Sequence, residues 1–186
     1  MPFKPSKDLD ELCYPFIHEN SPLCDYEVLT DELCTLLGMA CSAMPDQMAD
    51  IAKDLAVLQP LAFHANGSVR GRLALTEADL QAVKSCLHHY KAEVAERVQG
   101  FVLPRGTSPV NELHQARSVS KKAIRALVRL DDAGTSVPEI LPRFLNLCCN
   151  LCFVLTQVVN QRRGVAEPAF VSKSYALPRS TSPKAP

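Results

Sequence analysis

The chain has 186 residues, of which 47% are hydrophobic and 22% charged, a length and mix suited to one globular domain with a real core. Twenty basic and twenty acidic side chains cancel. That balance excludes a global field and argues against nucleic acid or an anionic membrane as partner, so any anion site must come from local arrangement.

Residues 1–24 carry little pattern beyond a short amphipathic turn around Leu9, Leu12 and Cys13, and the first eight residues lack the apolar run of a secretory signal. Apolar spacing predicts a first helix from Asp25 to Ala43, halted by Pro45, and a second from Pro45 to Phe63, kinked or shortened by Pro60. Thr76 and Asp79 form a variant capping box that opens a third helix reaching about Val98. A loop covers Gly100 to Ser108. Ser108 and Pro109 suit the cap and first position of a fourth helix, which ends before Gly134. Ser136 and Glu139 read as a second capping box opening a fifth helix with its body from Ile140 to Val159. That helix is apolar around most of its circumference, which places it at the centre of a bundle. Its most apolar run, Phe144 to Val159, is interrupted by Asn146, Asn150 and Gln157 and reads as too short and polar to cross a bilayer.

The predicted fold class is therefore all-α, a five-helix bundle over 25–163. A poorly defined segment, 1–24, precedes it, and a Pro/Ser-rich tail, 164–186, follows as a disordered or docking segment. The eight cysteines lack an export signal beside them, and several occupy core positions of helical patterns. Free thiols in a reducing cytoplasm are expected.

On the fourth helix His114, Arg117, Lys121 and Arg125 fall at i, i+3, i+7 and i+11, one stripe along the surface. Such a stripe suits a polyanion such as triphosphate; it equally describes a solvated face with ion pairs. On the fifth helix Arg143, Asn146, Asn150 and Gln157 make a second polar stripe, either a satisfied interhelical network or the floor of a pocket. Cys148, Cys149 and Cys152 lack the companion ligands of a metal site, and no metal is expected. No Gly-rich phosphate loop or nucleophile elbow is present.

The segment Phe101-Val-Leu-Pro-Arg-Gly-Thr-Ser-Pro-Val-Asn-Glu-Leu-His-Gln-Ala-Arg117-Ser-Val resembles the FxLPGGTxxxAxLHxARTVxRRAER signature of propanediol-utilisation-type ATP:cob(I)alamin adenosyltransferases. Leu145-Asn-Leu-Cys-Cys-Asn-Leu-Cys-Phe-Val-Leu155 is similar to their LNRLSDxLFVLAR, and Thr30-Asp-Glu-Leu33 with the following Leu-Leu-Gly-Met-Ala is similar to TVDELNSxLGxA. The three matches are collinear over roughly Asp25 to Asn160.

The resemblance implies a trimer of helical bundles with sites between subunits, in which cobalt(I) of a corrinoid attacks the 5′ carbon of ATP. It implies Arg117, Lys121, Arg125 and Asn150 as catalytic residues and Phe101, His114 and Asn146 beside the cobalamin. Asp31 and Arg117 would pair across the interface. The chain departs from the pattern on the nucleotide side. Lys121 and Asn150 replace an arginine and an aspartate, Ile124 and Leu147 a glutamate and an arginine, and Arg105 a loop glycine. Residues 1–24 hold nothing like the family's Lys-Thr-Gly-Asp loop. Weak binding of Mg-ATP is the expectation. Three roles stay open: adenosyl transfer to cobalamin, corrinoid binding without transfer, and partnership with an active adenosyltransferase in a mixed trimer.

Overall fold

The structure is a computed structural model that describes residues 4, 6–96 and 101–174. Five helices carry the fold: α1 (Pro22–Ser42), α2 (Ala49–Gly67), α3 (Glu77–Glu93), α4 (Val110–Asp132) and α5 (Ile140–Arg162). Two short strands, β1 (Phe101–Val102) and β2 (Ala169–Phe170), pair antiparallel with Phe101 opposite Phe170. α1 packs between α2 and α4, and α5 packs between α4 and α3.

Local chemistry explains most boundaries. α1 starts earlier than the apolar spacing suggests, because the Ser21 hydroxyl accepts from the Leu23 N–H at 3.0 Å and Pro22 takes the first turn. The Thr76–Asp79 box is formed in both directions. α2 begins after a 3-10 turn, Asp46–Met48, and continues through Pro60 to Gly67, so the proline neither shortens it nor ends it. The end of α3 falls at Glu93, ahead of the predicted Val98, which lies outside the described residues.

Two predicted caps are not formed. Pro109, with no side-chain cap bond, precedes α4, and Ser108 instead gives its carbonyl to Arg163 at 2.8 Å. Glu139 itself caps α5 without a side-chain bond, so the Ser136 box is absent.

α4 and α5 end alike. Gly134 and Gly164 adopt φ of +84° and +67°, and the next residue's N–H returns to the helix, Thr135 to Leu130 O at 3.0 Å and Val165 to Asn160 O at 2.8 Å. This left-handed closure needs glycine and aims the departing chain back along the helix.

The core is one cluster drawn from all five helices, with Tyr26, Tyr90 and Phe144 its largest fully buried members. α5 contributes Phe144, Leu145, Cys148, Leu155, Val158 and Val159 among others. By length and composition this 23-residue helix could cross a membrane, contrary to the reading from its apolar run, but most of it is buried within the bundle. Cys148 and Cys152 are fully enclosed, and burial pushes the Cys152 thiol up to about 12. Among the described residues no group of His, Cys, Asp or Glu is arranged to hold a metal ion.

The predicted tail is not uniformly structureless. Its first part, 165–170, returns along the bundle as a strap and supplies β2. Residues 175–186 lie outside the described part.

Candidate functional site

The loop from Phe101 to Pro109 and the strap form a ribbon over the junction of α4 and α5. Besides the Phe101–Phe170 pair, the Leu103 N–H donates to Pro168 O at 2.9 Å. Asn160 of α5 donates from Nδ2 to Arg105 O at 3.0 Å. Gly106 is required by close approach, because a Cβ there would lie 2.5 Å from Val110 Cγ1. Residues directly opposite in an antiparallel pair share a face. Phe101 and Phe170 thus lie on one face of the ribbon, 59% and 43% exposed. An aromatic pair left in solvent at the end of a bundle is a ready surface for a flat apolar partner.

Beneath the ribbon lies a buried polar network. The Glu167 side chain, 1% exposed, accepts from Gln157 Nε2 of α5 and meets His114 Nε2 of α4 at 3.2 Å. The Arg105 N–H points at the same carboxylate from 3.5 Å. Burial pulls the His114 pKa below its usual value; Glu167 opposes that and Arg117 reinforces it. A neutral His114 donating through Nε2 leaves Nδ1 as acceptor, and that buried atom has no partner among the described residues. Arg117 is one turn on, its guanidinium 5.5 Å from the Phe153 ring centroid and its buried Nε also without a partner among the described residues.

Further along the stripe the environment opens. Lys121 and Arg125, with Lys122 and Arg129, form the cationic wall of a cleft of about 630 Å³ between α4 and α1. Val28 and Leu29 supply an apolar wall, and Ile17 and Glu19 reach in from the N-terminal segment. Arg129 is already paired with Asp25 at 2.8 Å. Ile124, between the cationic side chains, is partly buried and packs on the core, as does Leu147 of α5.

The N-terminal segment is held by one arginine. Arg70 bonds Glu27 at 2.8 Å and Glu19 at 2.7 Å, with its guanidinium 3.7 Å from the Phe16 ring centroid. Glu27 is buried, and burial together with its carboxylate pushes the Tyr14 phenol up to about 12. Residues 14–19 are thereby folded against α1 and border both the cationic cleft and a neighbouring one of about 410 Å³ that includes Asp31 and Phe63.

The remaining predicted residues are spread over other faces. Asn146 is exposed and bonds its own helix at Pro142 O, 2.8 Å away. Asn150 is exposed beside a cleft of about 460 Å³ that it shares with Phe153 and Lys91. Arg143 pairs with Glu77 of α3. Of the polar stripe on α5, only Gln157 is buried. Asp31 is exposed on α1, and among the described residues it makes no ion pair with Arg117 of the same chain. Within one chain the structure brings together His114 with the Phe101 loop, and Lys121 with Arg125. It leaves Asp31, Asn146 and Asn150 apart from both groups.

Sequence reasoning missed Glu167, Asn160 and Arg70. The available signal for Glu167 was its isolation as the one acidic residue after Glu139.

Comparison with known proteins matches this architecture to one class. The family model described as Cobalamin adenosyltransferase matches residues 17–159. A cobalamin adenosyltransferase of Cupriavidus metallidurans is 32% identical over 136 residues, 72% of each chain. A corrinoid adenosyltransferase of Bacillus subtilis is 28% identical over 144 residues, 74% of each. The fold is that of a variant PduO-type ATP:corrinoid adenosyltransferase from Lactobacillus reuteri, complexed with cobalamin and ATP, at a TM-score of 0.72 and 20% identity. That match covers 82% of this chain and 88% of the other. The chain belongs to the cobalamin adenosyltransferase family.

Proposed function

We propose that this protein transfers the 5′-deoxyadenosyl group of ATP to a corrinoid, in the cytoplasm, at sites completed between subunits of a trimer. The observation that carries this reading is the exposed Phe101–Phe170 pair on the ribbon of a family member whose next helix bears a cationic wall. The aromatic pair offers a rigid apolar face to a corrin macrocycle and excludes water from it. Lys121 and Arg125, on the wall of the cleft, would bind triphosphate.

In the transfer, a cobalt(I) electron pair forms the cobalt–carbon bond as the C5′–O5′ bond breaks, and triphosphate departs with the bonding pair. Charge gathers on the leaving oxygen, so cations held beside it lower the barrier. Lys121 supplies a point charge where an arginine would grip two oxygens, which favours attraction over orientation. Arg117, with a buried Nε in search of an acceptor, and Asp31 of a neighbouring copy are the proposed interface pair. Asn146 and Asn150, exposed on α5, would meet ligand only from an adjacent subunit.

A second reading has one specific observation behind it. Ile124 and Leu147 pack against the core where the family signature carries charge, which favours corrinoid binding without transfer. Anaerobic incubation with cob(I)alamin and Mg-ATP separates the two. Loss of the cob(I)alamin absorbance in step with triphosphate release, abolished in Lys121→Ala/Arg125→Ala, supports transfer. A protein that alters the cob(II)alamin spectrum yet releases no triphosphate supports the second reading. One that leaves the spectrum untouched at saturation overturns both.

A further inference from the structure

We infer that Glu167 is a positioning residue: its buried carboxylate latches the strap 165–170 onto α4 and α5 and thereby sets where the Phe101 loop stands. The consequence for corrinoid binding rests on the function proposed above; the latch itself does not.

A carboxylate with 1% exposure persists only if donors surround it. Glu167 finds them on three separate pieces of chain: Gln157 on α5, His114 on α4 and the Arg105 N–H in the loop. It is therefore the point at which strap, loop and bundle meet. The strap in turn holds the loop through the Phe101–Phe170 pair and the Leu103–Pro168 bond. A ladder two residues long is marginal by itself in water and needs an external anchor. Asn160 and Arg163 secure the loop's far end, at Arg105 and Ser108, but bond neither Phe101 nor Leu103. The near end is secured by β2, and β2 by Glu167.

The core gives the means to separate this role from general stability. No residue of 101–109 or 165–174 belongs to the core cluster or to the apolar residues packed on it. Releasing the latch should loosen the ribbon and leave the bundle intact.

The test compares the full-length protein with Glu167→Ala and Glu167→Gln by amide hydrogen exchange and by titration with cob(II)alamin. In Glu167→Ala the Leu103 and Arg105 amides should exchange at least tenfold faster, while core amides from Leu145 to Leu155 accelerate far less and the Tm falls by only a few degrees, the cost of leaving Gln157 and His114 unpaired. Glu167→Gln keeps an acceptor for Gln157 but sets an NH2 group against His114, so the same amides should accelerate by a smaller factor. Cob(II)alamin affinity should fall in the same order, about tenfold or more for alanine. Wild-type exchange at Leu103 in both variants overturns the latch. So does uniform acceleration through α5, or failure of both variants to fold, since each makes Glu167 a residue of general stability. Wild-type protein that leaves the cob(II)alamin spectrum unchanged overturns the corrinoid reading alone, and the exchange rates still decide the latch.

Discussion

Phe101 leaves 59% of its surface to solvent, so trimming it removes little buried apolar area. A Phe plugging the bundle would cost about 3–5 kcal/mol on truncation, whereas loss of an exposed cross-strand pair costs at most about 1 kcal/mol. Phe101→Ala should therefore keep the wild-type Tm within a few degrees while abolishing any change in the cob(II)alamin spectrum; a large drop in Tm would show that the ring is packed. His114 supports a second prediction. Burial, the largest cause, and then Arg117 lower its pKa, with Glu167 acting against them. Unfolded, the imidazole takes up a proton near its ordinary value of 6.5; folded, it does so only at lower pH. Between those points the unfolded chain binds more protons, so stability falls as pH drops below about 6.5 and the loss is complete below the folded pKa. Chemical denaturation at pH 7.5 and 5.5 should show this decline, with His114→Asn reducing it. An unchanged slope in the variant would assign the decline to other groups.

At the scale of elements, the N-terminal segment depends on Arg70. Its guanidinium joins buried Glu27, Glu19 and the Phe16 ring across a separation that no local signal specifies. Removing one member of a buried pair leaves the other charge uncompensated. Arg70→Ala should destabilise the protein by about 3 kcal/mol, the low end for such a loss, because Tyr14 still faces Glu27. Urea denaturation measures the cost. The same variant should weaken Mg-ATP binding measured by calorimetry, since residues 14–19 border the cationic cleft. Unchanged affinity would show that the segment is not part of the nucleotide site. The ribbon shows the same dependence from the other end of the chain: two strands too short to stand alone are held by side chains of α4 and α5.

For the whole molecule, the exposed apolar residues of α1 and α2 bear on the proposed assembly. Val28, Asp31, Thr35 and Met39 follow one exposed face of α1, with Val28 45% and Met39 50% exposed, and Val57 and Phe63 on α2 are 58% and 57% exposed. Apolar exposure of this extent on adjacent helices is consistent with the proposed subunit interface. Sedimentation velocity at micromolar concentration should show a species of three chains. Asp31→Arg should shift it toward monomer by placing two cations at the proposed Asp31–Arg117 contact. A stable wild-type monomer would overturn both the assembly and the shared site.

The amino-acid sequence by itself determined the features that arise within one or two helical turns. The Thr76–Asp79 box formed because both partners lie three residues apart. The bodies of all five helices follow apolar repeats of the same short range, and the stripe from His114 to Arg125 is legible for that reason. Three segments also carried the family signature in order, which made the class of protein readable. Local signals did not always hold: Pro109 and not Ser108 takes the cap position of α4, and α2 passes through Pro60. Only the tertiary structure decided that Arg117 turns toward Phe153 while Lys121 and Arg125 open into a cleft, because α5 and α1 flank the same helix on different sides. It alone made Glu167 a buried anchor, since burial requires donors that lie 10, 53 and 62 residues away along the chain. Periodicity records which face a residue occupies; the packing of other elements determines what that face meets.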